Sequence, residues 1–304
     1  MCDIYCLTFF YFIKYIKILI MKNLIFYFPE IKDYYAFTFK CYFKIFYTYL
    51  SMFSYIKIIR KKIDLNSIDI NEWIIFFQPN IMDCSDFKNI ILIETDPNIV
   101  TDPNYYNNIK LIVSYRYKNI INHKNLNFNK IVYIPLISNN IYEKEKLRNV
   151  EKDIDILFYG RFTKHRQRIY KQFLRNDDFK NKKIVWKECI NDNELVNYIQ
   201  RSKIVLVIFI NWEQATLDTF RINLLINLKA FFIHEMIDLN LLPDNTLKKL
   251  IVFSNYNRII NKCLKYLNMS QNRINDRCEK LYQHIKKKYT MNKLFPKKLL
   301  NDEK

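Results

Sequence analysis

Short apolar runs recur along the whole chain, separated by charged or turn-forming segments. In the first half they are Asn23 to Phe28, ended by Pro29; Trp73 to Phe77 (WIIFF), ahead of Pro79; Ile90 to Glu94 (IILIE), followed by Thr95-Asp96-Pro97; Leu111 to Ser114; and Ile131 to Pro135. Continuous runs of this length predict strands buried on both faces, as in a parallel sheet. Tyr34 to Ile59 is dense in aromatics, has no Gly or Pro, and is long enough for one or two helices. Ser138 to Lys152 is polar and charged and reads as a linker.

The pattern then restarts. Ile154 to Tyr159 (IDILFY), Lys183 to Trp186, Lys203 to Ile210 (KIVLVIFI), Ala230 to His234 and Leu250 to Phe253 read as strands. Between and after them, His165 to Leu174, Asp192 to Arg201, Asp218 to Leu228, Tyr256 to Leu267 and the basic stretch Gln271 to Lys288 read as helices. Strand and helix alternating in this way predict a doubly wound α/β domain. The expected organisation is an apolar extension over residues 1–22, a reduced Rossmann-like domain over 23–140 and a second Rossmann-like domain over 153–295.

Residues 4–28 are apolar and aromatic, but Lys14, Lys17 and Lys22 interrupt them. A membrane span needs about 20 nearly uninterrupted apolar residues. A signal peptide places its charge before the apolar run. The expected location is therefore cytoplasmic, with peripheral membrane contact through this stretch left open. Met21 is the expected working start, because Met21 to Phe28 opens like the first strand of an α/β domain.

The net charge is +19. A positive field attracts phosphate-bearing partners. A bias to Lys, Asn, Ile, Tyr and Phe with a single glycine is also what an AT-rich coding sequence produces. No helix-turn-helix, zinc-finger or aromatic RNA-binding signature accompanies the charge, so nucleic acid is not expected as a partner. Seven cysteines stand without a CxxC pair and four histidines without metal-ligand spacing, so neither a disulfide framework nor a zinc site is expected.

Three segments carry candidate chemistry. In Ile154-Asp-Ile-Leu-Phe-Tyr-Gly-Arg-Phe-Thr-Lys-His-Arg166 a strand runs through Gly160 into a helix start. Glycine lets backbone amides approach a phosphate, and a helix N-terminus attracts anions. Arg161, Lys164 and Arg166 add positive charge there. An ordinary strand-to-helix turn with a solvated basic face would look the same. In Asn211 to Asn223, Thr216 and Thr219 could donate to phosphate oxygens and Arg221 could pair bidentately with a diphosphate. Plain N-capping by Asp218 or Thr216 is the competing reading. Glu235, ending the Phe-Ile-His-Glu run, could accept from ribose hydroxyls or be a solvated loop acid.

Taken together, IDILFYGRFTKHRQRI, KIVLVIFINWEQATLDTFRINLLINLKAFFIHE, LIVFSNYNRIINKCLKYL and KKKYTM resemble the C-terminal half of GT-B glycosyltransferases of a bacterial and giant-virus, family 1/4-like group. The likeness is best over residues 153–295. WIIFFQPN, NIILIETDP, KLIVSYRYKNI and IVYIPL look more loosely like the acceptor-side domain of that group. The resemblance implies two Rossmann-like domains facing across a cleft, a nucleoside-diphosphate sugar as donor, a glycan, lipid or protein acceptor, and no metal or other cofactor. It implies that Gly160 and Arg161 line the diphosphate, that Thr219 and Arg221 lie near the donor phosphates, and that Glu235 lies by the nucleotide. Lys164 and Arg166 join this donor set by their position.

The chain departs from the pattern in one helix. Many such enzymes carry a glutamate after the Thr-Phe-Arg stretch and a glycine at the helix end; here Leu224, with Asn223 beside it, and Lys229 stand there. A lapsed protein that only binds nucleotide, glycan or a partner is therefore the alternative to an active transferase. An inverting transfer needs a base near the acceptor hydroxyl. Glu94 and Asp96, at the end of an N-terminal strand, are the candidates, with loop-capping as the competing reading for Asp96. His123, in an apparent polar loop, is a poorer one. Asp153-Ile-Asp155 matches an Asp-x-Asp metal motif, but at the start of a strand, away from the expected site, and is read as chance.

Overall fold

The computed structural model describes residues 24–27, 56–59, 73–77, 89–94, 106, 109–125, 131–138, 150–188, 192–209, 216–242 and 244–294. Two compact units divide the chain: one of Met1–Tyr115, Asn119–Ile134 and Leu294–Lys304, the other of Arg116–Lys118 and Pro135–Lys293.

The first unit holds a six-stranded sheet of β1 (Leu24–Tyr27), β2 (Ile56–Ile59), β3 (Trp73–Phe77), β4 (Asn89–Glu94), β5 (Ile109–Ser114) and β6 (Ile131–Tyr133). Its order is β2-β1-β3-β4-β5-β6, with every pair parallel. Ile74, Ile90 and Ile112 are fully buried, as strands covered on both faces require. The structure corrects the sequence reading twice here. Ile56–Ile59, the end of the stretch expected to be helical, is a strand paired with β1. Its alternation of Ile and Lys is too short to distinguish the two periods. His123, expected in a polar loop, lies in helix α1 (Tyr117–Asn125). Its buried side chains include Asn119 and His123, so the core-facing side carries polar residues and the apolar periodicity is lost.

The second unit holds a five-stranded sheet of β7 (Ile154–Tyr159), β8 (Ile184–Lys187), β9 (Ser202–Val207), β10 (Phe232–Glu235) and β11 (Val252–Ser254). The order is β11-β10-β9-β7-β8, again all parallel. Its described helices are α2 (Lys164–Arg175), α3 (Asp192–Arg201), α4 (Thr219–Asn227), α5 (Asn245–Leu250), α6 (Ile259–Leu267), α7 (Gln271–Lys288) and α8 (Met291–Leu294). Phe158 of β7, Ile204 and Leu206 of β9 and Ile169 and Phe173 of α2 pack into one buried cluster. Burying each such side chain contributes about 1.5–3 kcal/mol. Crossovers between parallel strands place the helix starts at the strands' C-terminal ends, where ligands bind in open α/β sheets.

Two local features bear on the departures noted above. Lys229, just after α4, has φ 53°, a backbone that favours glycine. Its ammonium pairs with Glu279 at 2.6 Å and lies 4.8 Å from the Tyr282 ring centroid. Asn223 Oδ1 accepts from the Ile137 amide at 2.9 Å, and Asn227 Nδ2 donates to the Ile137 carbonyl at 3.3 Å. These two asparagines, one turn apart, hold the incoming chain against α4.

Asp244 ties α5 to α7. It accepts from the Leu247 amide at 2.9 Å, from His284 Nε2 at 3.0 Å, from Lys288 Nζ at 3.1 Å and from the Tyr289 hydroxyl. Burial pushes its carboxyl up, but the bonds from Tyr289, Leu247, His284 and Lys288 outweigh this and hold it well below the usual carboxylate range. A folded-state pKa below the unfolded value makes a contribution to stability that is present above about pH 4 and lost as pH falls toward the folded value. Asp244→Ala should therefore cost about 1–2 kcal/mol at neutral pH. Urea denaturation from pH 7 downward checks this: the gap to wild type narrows only below about pH 4.

The N-terminal extension, residues 1–22, lies outside the described residues. Among the described residues, no helix is long and apolar enough to cross a membrane, and no group of three or more His, Cys, Asp or Glu could hold a metal ion.

Candidate functional site

Gly160, directly after β7, has φ +97°, in the left-handed region. Its amide donates to the Lys187 carbonyl at 2.9 Å and its carbonyl accepts from Trp186 Nε1 at 3.1 Å. The Phe162 ring packs edge-on against Trp186, with 4.3 Å between centroids, which fastens the turn into α2. A Cβ at Gly160 would lie 2.5 Å from Arg221 Nη2 and 3.2 Å from Arg166 Nη1. The space a side chain would take is thus occupied by two guanidinium groups from different helices.

Arg166, in the first turn of α2, is 1% exposed. Its Nε donates to the carbonyls of Ile208 and Phe209 at 2.9 and 3.1 Å, and Nη1 to that of Arg161 at 3.0 Å. The fork binds the segment after β9 to the loop after β7. Arg221, in the first turn of α4, donates through Nη1 to the Ile208 carbonyl at 3.4 Å. Its Nε lies 3.3 Å from Asp218 Oδ2, and its guanidinium sits 5.2 Å from the Tyr159 ring centroid. Asp218 also caps α4, accepting from the Arg221 amide at 3.3 Å.

The other expected residues of this unit stand as follows. Arg161 and Lys164 are exposed on the loop and first turn of α2, close in sequence to Gly160. Thr163 caps α2, its hydroxyl accepting from the Arg166 amide. Thr219 is buried at the start of α4, and its hydroxyl donates to the Leu217 carbonyl at 3.3 Å. Glu235 is buried at the end of β10; Oε1 lies 2.8 Å from His165 Nε2, and Oε2 accepts from the Phe209 amide at 3.0 Å. Asp153 and Asp155 sit at the opposite end of β7 from Gly160. Asp153 pairs with Arg201 at 2.6 Å and Lys183 at 2.5 Å, and Asp155 with Lys203 at 2.8 Å.

In the first unit Glu94 ends β4 and is 1% exposed. One carboxylate oxygen lies 2.5 Å from His123 Nε2 and the other accepts from Asn119 Nδ2 at 3.2 Å. Both partners come from α1, and Tyr106 meets the His123 ring edge-on at 5.0 Å. Asp96 lies outside the described residues.

Sequence reasoning passed over His165 and His234. His234, fully buried in β10, accepts at Nε2 from the Asp218 amide at 3.2 Å, and its Nδ1 lies 2.6 Å from the Glu235 carbonyl. Those two bonds assign the neutral tautomer with the proton on Nδ1. Burial pushes its pKa down, in keeping with that form. The available signal was the His-Glu pair at a strand's end, since neighbouring strand residues point to opposite faces. Chemically, a positive-φ glycine, the Arg221 guanidinium held beside it and two helix N-termini suit the oxygens of a diphosphate, while the buried Arg166 fork shapes the loop.

No family model matches the sequence, and no curated protein matches it. Solved structures match by fold. A DNA-modifying beta-glucosyltransferase, determined with and without its substrate uridine diphosphoglucose, aligns with 92% of this chain and 100% of its own, at TM-score 0.58 and 13% identity. An alpha-glucosyltransferase in complex with UDP and a 13-mer DNA containing a HMU base aligns with 92% and 99%, at TM-score 0.57 and 8% identity. TarM aligns with 77% and 55%, at TM-score 0.50 and 12% identity. At such identities the likeness is one of fold: these neighbours are GT-B glycosyltransferases, and the chain shares with them a mixed α/β architecture with parallel sheets.

Proposed function

We propose that the chain is a glycosyltransferase that moves a hexose-type sugar from a nucleoside-diphosphate donor to an acceptor hydroxyl without a metal ion. The observation that carries this reading is the convergence of Arg166 and Arg221 on Gly160. Cleaving the sugar–phosphate bond leaves negative charge on the departing diphosphate. Cationic forks and helix N-termini already in place stabilise that charge without reorganising as it develops. Arg221, with Arg161 and Lys164 at the loop, would contact the phosphates, and Arg166 would hold the loop in shape. Thr219 and Glu235 belong to the donor site, Glu235 through the contacts that tie His165 to the segment after β9. The solved neighbours that hold UDP or were studied with uridine diphosphoglucose support the donor class.

Asp96 is the proposed proton acceptor on the acceptor side. Glu94 is buried and engaged by His123 and Asn119, which suits it to holding the end of β4 rather than meeting an acceptor. Asp96→Asn should lower transfer by about 10²–10⁴-fold and leave donor affinity unchanged. Single-turnover transfer measured beside calorimetric donor binding checks this; full transfer by the variant removes Asp96 from the mechanism.

A second reading of the acceptor is favoured by the +19 charge together with the two neighbours that align over nearly their whole length, one a DNA-modifying enzyme and the other in complex with DNA. On that reading the acceptor is a hydroxyl on a base in DNA. The deciding experiment is calorimetry with a panel of nucleoside diphosphates, followed by transfer assays with EDTA present. Hydroxymethylated duplex DNA, glycans and lipid-linked sugars serve as acceptors. Donor binding with no transfer to any of them favours a lapsed protein, the reading that Leu224 and Lys229 raise. No binding of any nucleotide removes the donor assignment.

A further inference from the structure

Two consecutive residues of β10 hold the starts of the two helices that supply the arginines. His234, on one face of the sheet, accepts the Asp218 amide at the start of α4. Glu235, on the other face, pairs with His165 in the first turn of α2 and accepts the Phe209 amide. Asp218 then passes the constraint on, because its carboxylate caps α4 at the Arg221 amide and meets Arg221 Nε at 3.3 Å. His165 directly precedes Arg166 on α2.

We propose that His234 and Glu235 form a two-sided clamp that sets the spacing of Arg221 and Arg166 about Gly160, with His234 as the positioning residue for Arg221. The inference rests on the donor reading for its consequence but not for its geometry. His234 is too deeply buried to touch a ligand, so it acts through Asp218. Its neighbours fix which atom matters. The rings of Phe209, just after β9, and of Phe253 in β11 each lie 5.5 Å from the His234 ring. The charged groups that act on it are Asp218 and Arg221 from α4. The Nε2 acceptor is the atom that reaches the start of α4, while Nδ1 donates within β10 to the Glu235 carbonyl; a phenyl ring fits between the two flanking rings and removes both bonds.

The test uses the full chain with His234→Phe and His234→Gln, each made with and without Arg221→Ala. The glutamine amide oxygen can take the Asp218 N–H; phenylalanine cannot. Affinity for UDP by calorimetry should fall about tenfold in H234F, the equivalent of one net hydrogen bond, and recover to within about threefold in H234Q. In the Arg221→Ala background, H234F should have no further effect, because the residue it acts through is gone. Wild-type affinity in H234F, or the same loss with and without Arg221, overturns the clamp. A ligand-free readout separates this from the donor reading: the Nε–Hε resonance of Arg221, assigned by its absence in R221A. It should be resolved in wild type and H234Q and averaged with exposed arginines in H234F. If wild type binds no UDP while the resonance behaves this way, the donor reading falls and the clamp stands. An unchanged resonance in H234F sinks the clamp whatever binds.

Discussion

Arg221→Ala should lower turnover of the sugar donor by about two to three orders of magnitude while the protein stays folded. The size follows from the role: a preorganised donor aimed at charge that develops in the transition state is worth about 10²–10³ in rate. The spared fold follows from the contacts. Arg221 reaches the Ile208 carbonyl at 3.4 Å, a long bond, and that carbonyl keeps the shorter bond from Arg166 Nε at 2.9 Å. Asp218 keeps its capping bond to the backbone amide of residue 221, whatever side chain stands there. Arg221→Lys should recover only part of the loss, because an ammonium keeps the charge but lacks the planar fork. The measurement is steady-state donor hydrolysis and transfer, beside circular dichroism and thermal unfolding. An alanine variant with undiminished turnover of every donor would falsify the assignment of Arg221.

Arg166 should behave in the opposite sense. Arg166→Met keeps most of the volume and removes the fork: the Phe209 carbonyl loses its guanidinium donor, Ile208 keeps only the long bond from Arg221, and Arg161 keeps only the bond from the Thr163 amide. A buried acceptor left unsatisfied costs about 1–3 kcal/mol and the two weakened sites add to it, so a total of about 2–4 kcal/mol is expected. That is a large part of the 5–15 kcal/mol of a typical domain. Hydrogen exchange is the suitable probe, since two units need not unfold in one transition. Amides of β7 and β9 should exchange much faster in the variant, and protection close to wild type would show that the fork is dispensable. Comparing the two arginines therefore separates charge that meets a ligand from charge that builds the loop.

The sequence by itself determined the alternation of strand and helix, the buried runs that became β3, β4, β5 and β7, and the position of the glycine turn. These are local properties: a run of β-branched residues, a missing Cβ and a helix start act over a few residues, so spacing alone reveals them. It also placed Gly160 and Arg166 in one segment and Arg221 in another, joined only by the family resemblance. Only the tertiary structure decided that both guanidinium groups fill the space beside Gly160, since that proximity joins the ends of β7, α2 and α4. The same holds for Ile56–Ile59, which became a strand because β1 offered an edge to pair with. It holds too for α1, whose buried Asn119 and His123 make sense only once Glu94 stands opposite them. Glu235 read as a possible open carboxylate, and its two oxygens are taken by His165 and Phe209, partners distant in sequence. A polar side chain's role depends on which groups the fold brings within about 3 Å of it, and spacing along the chain carries no record of that distance.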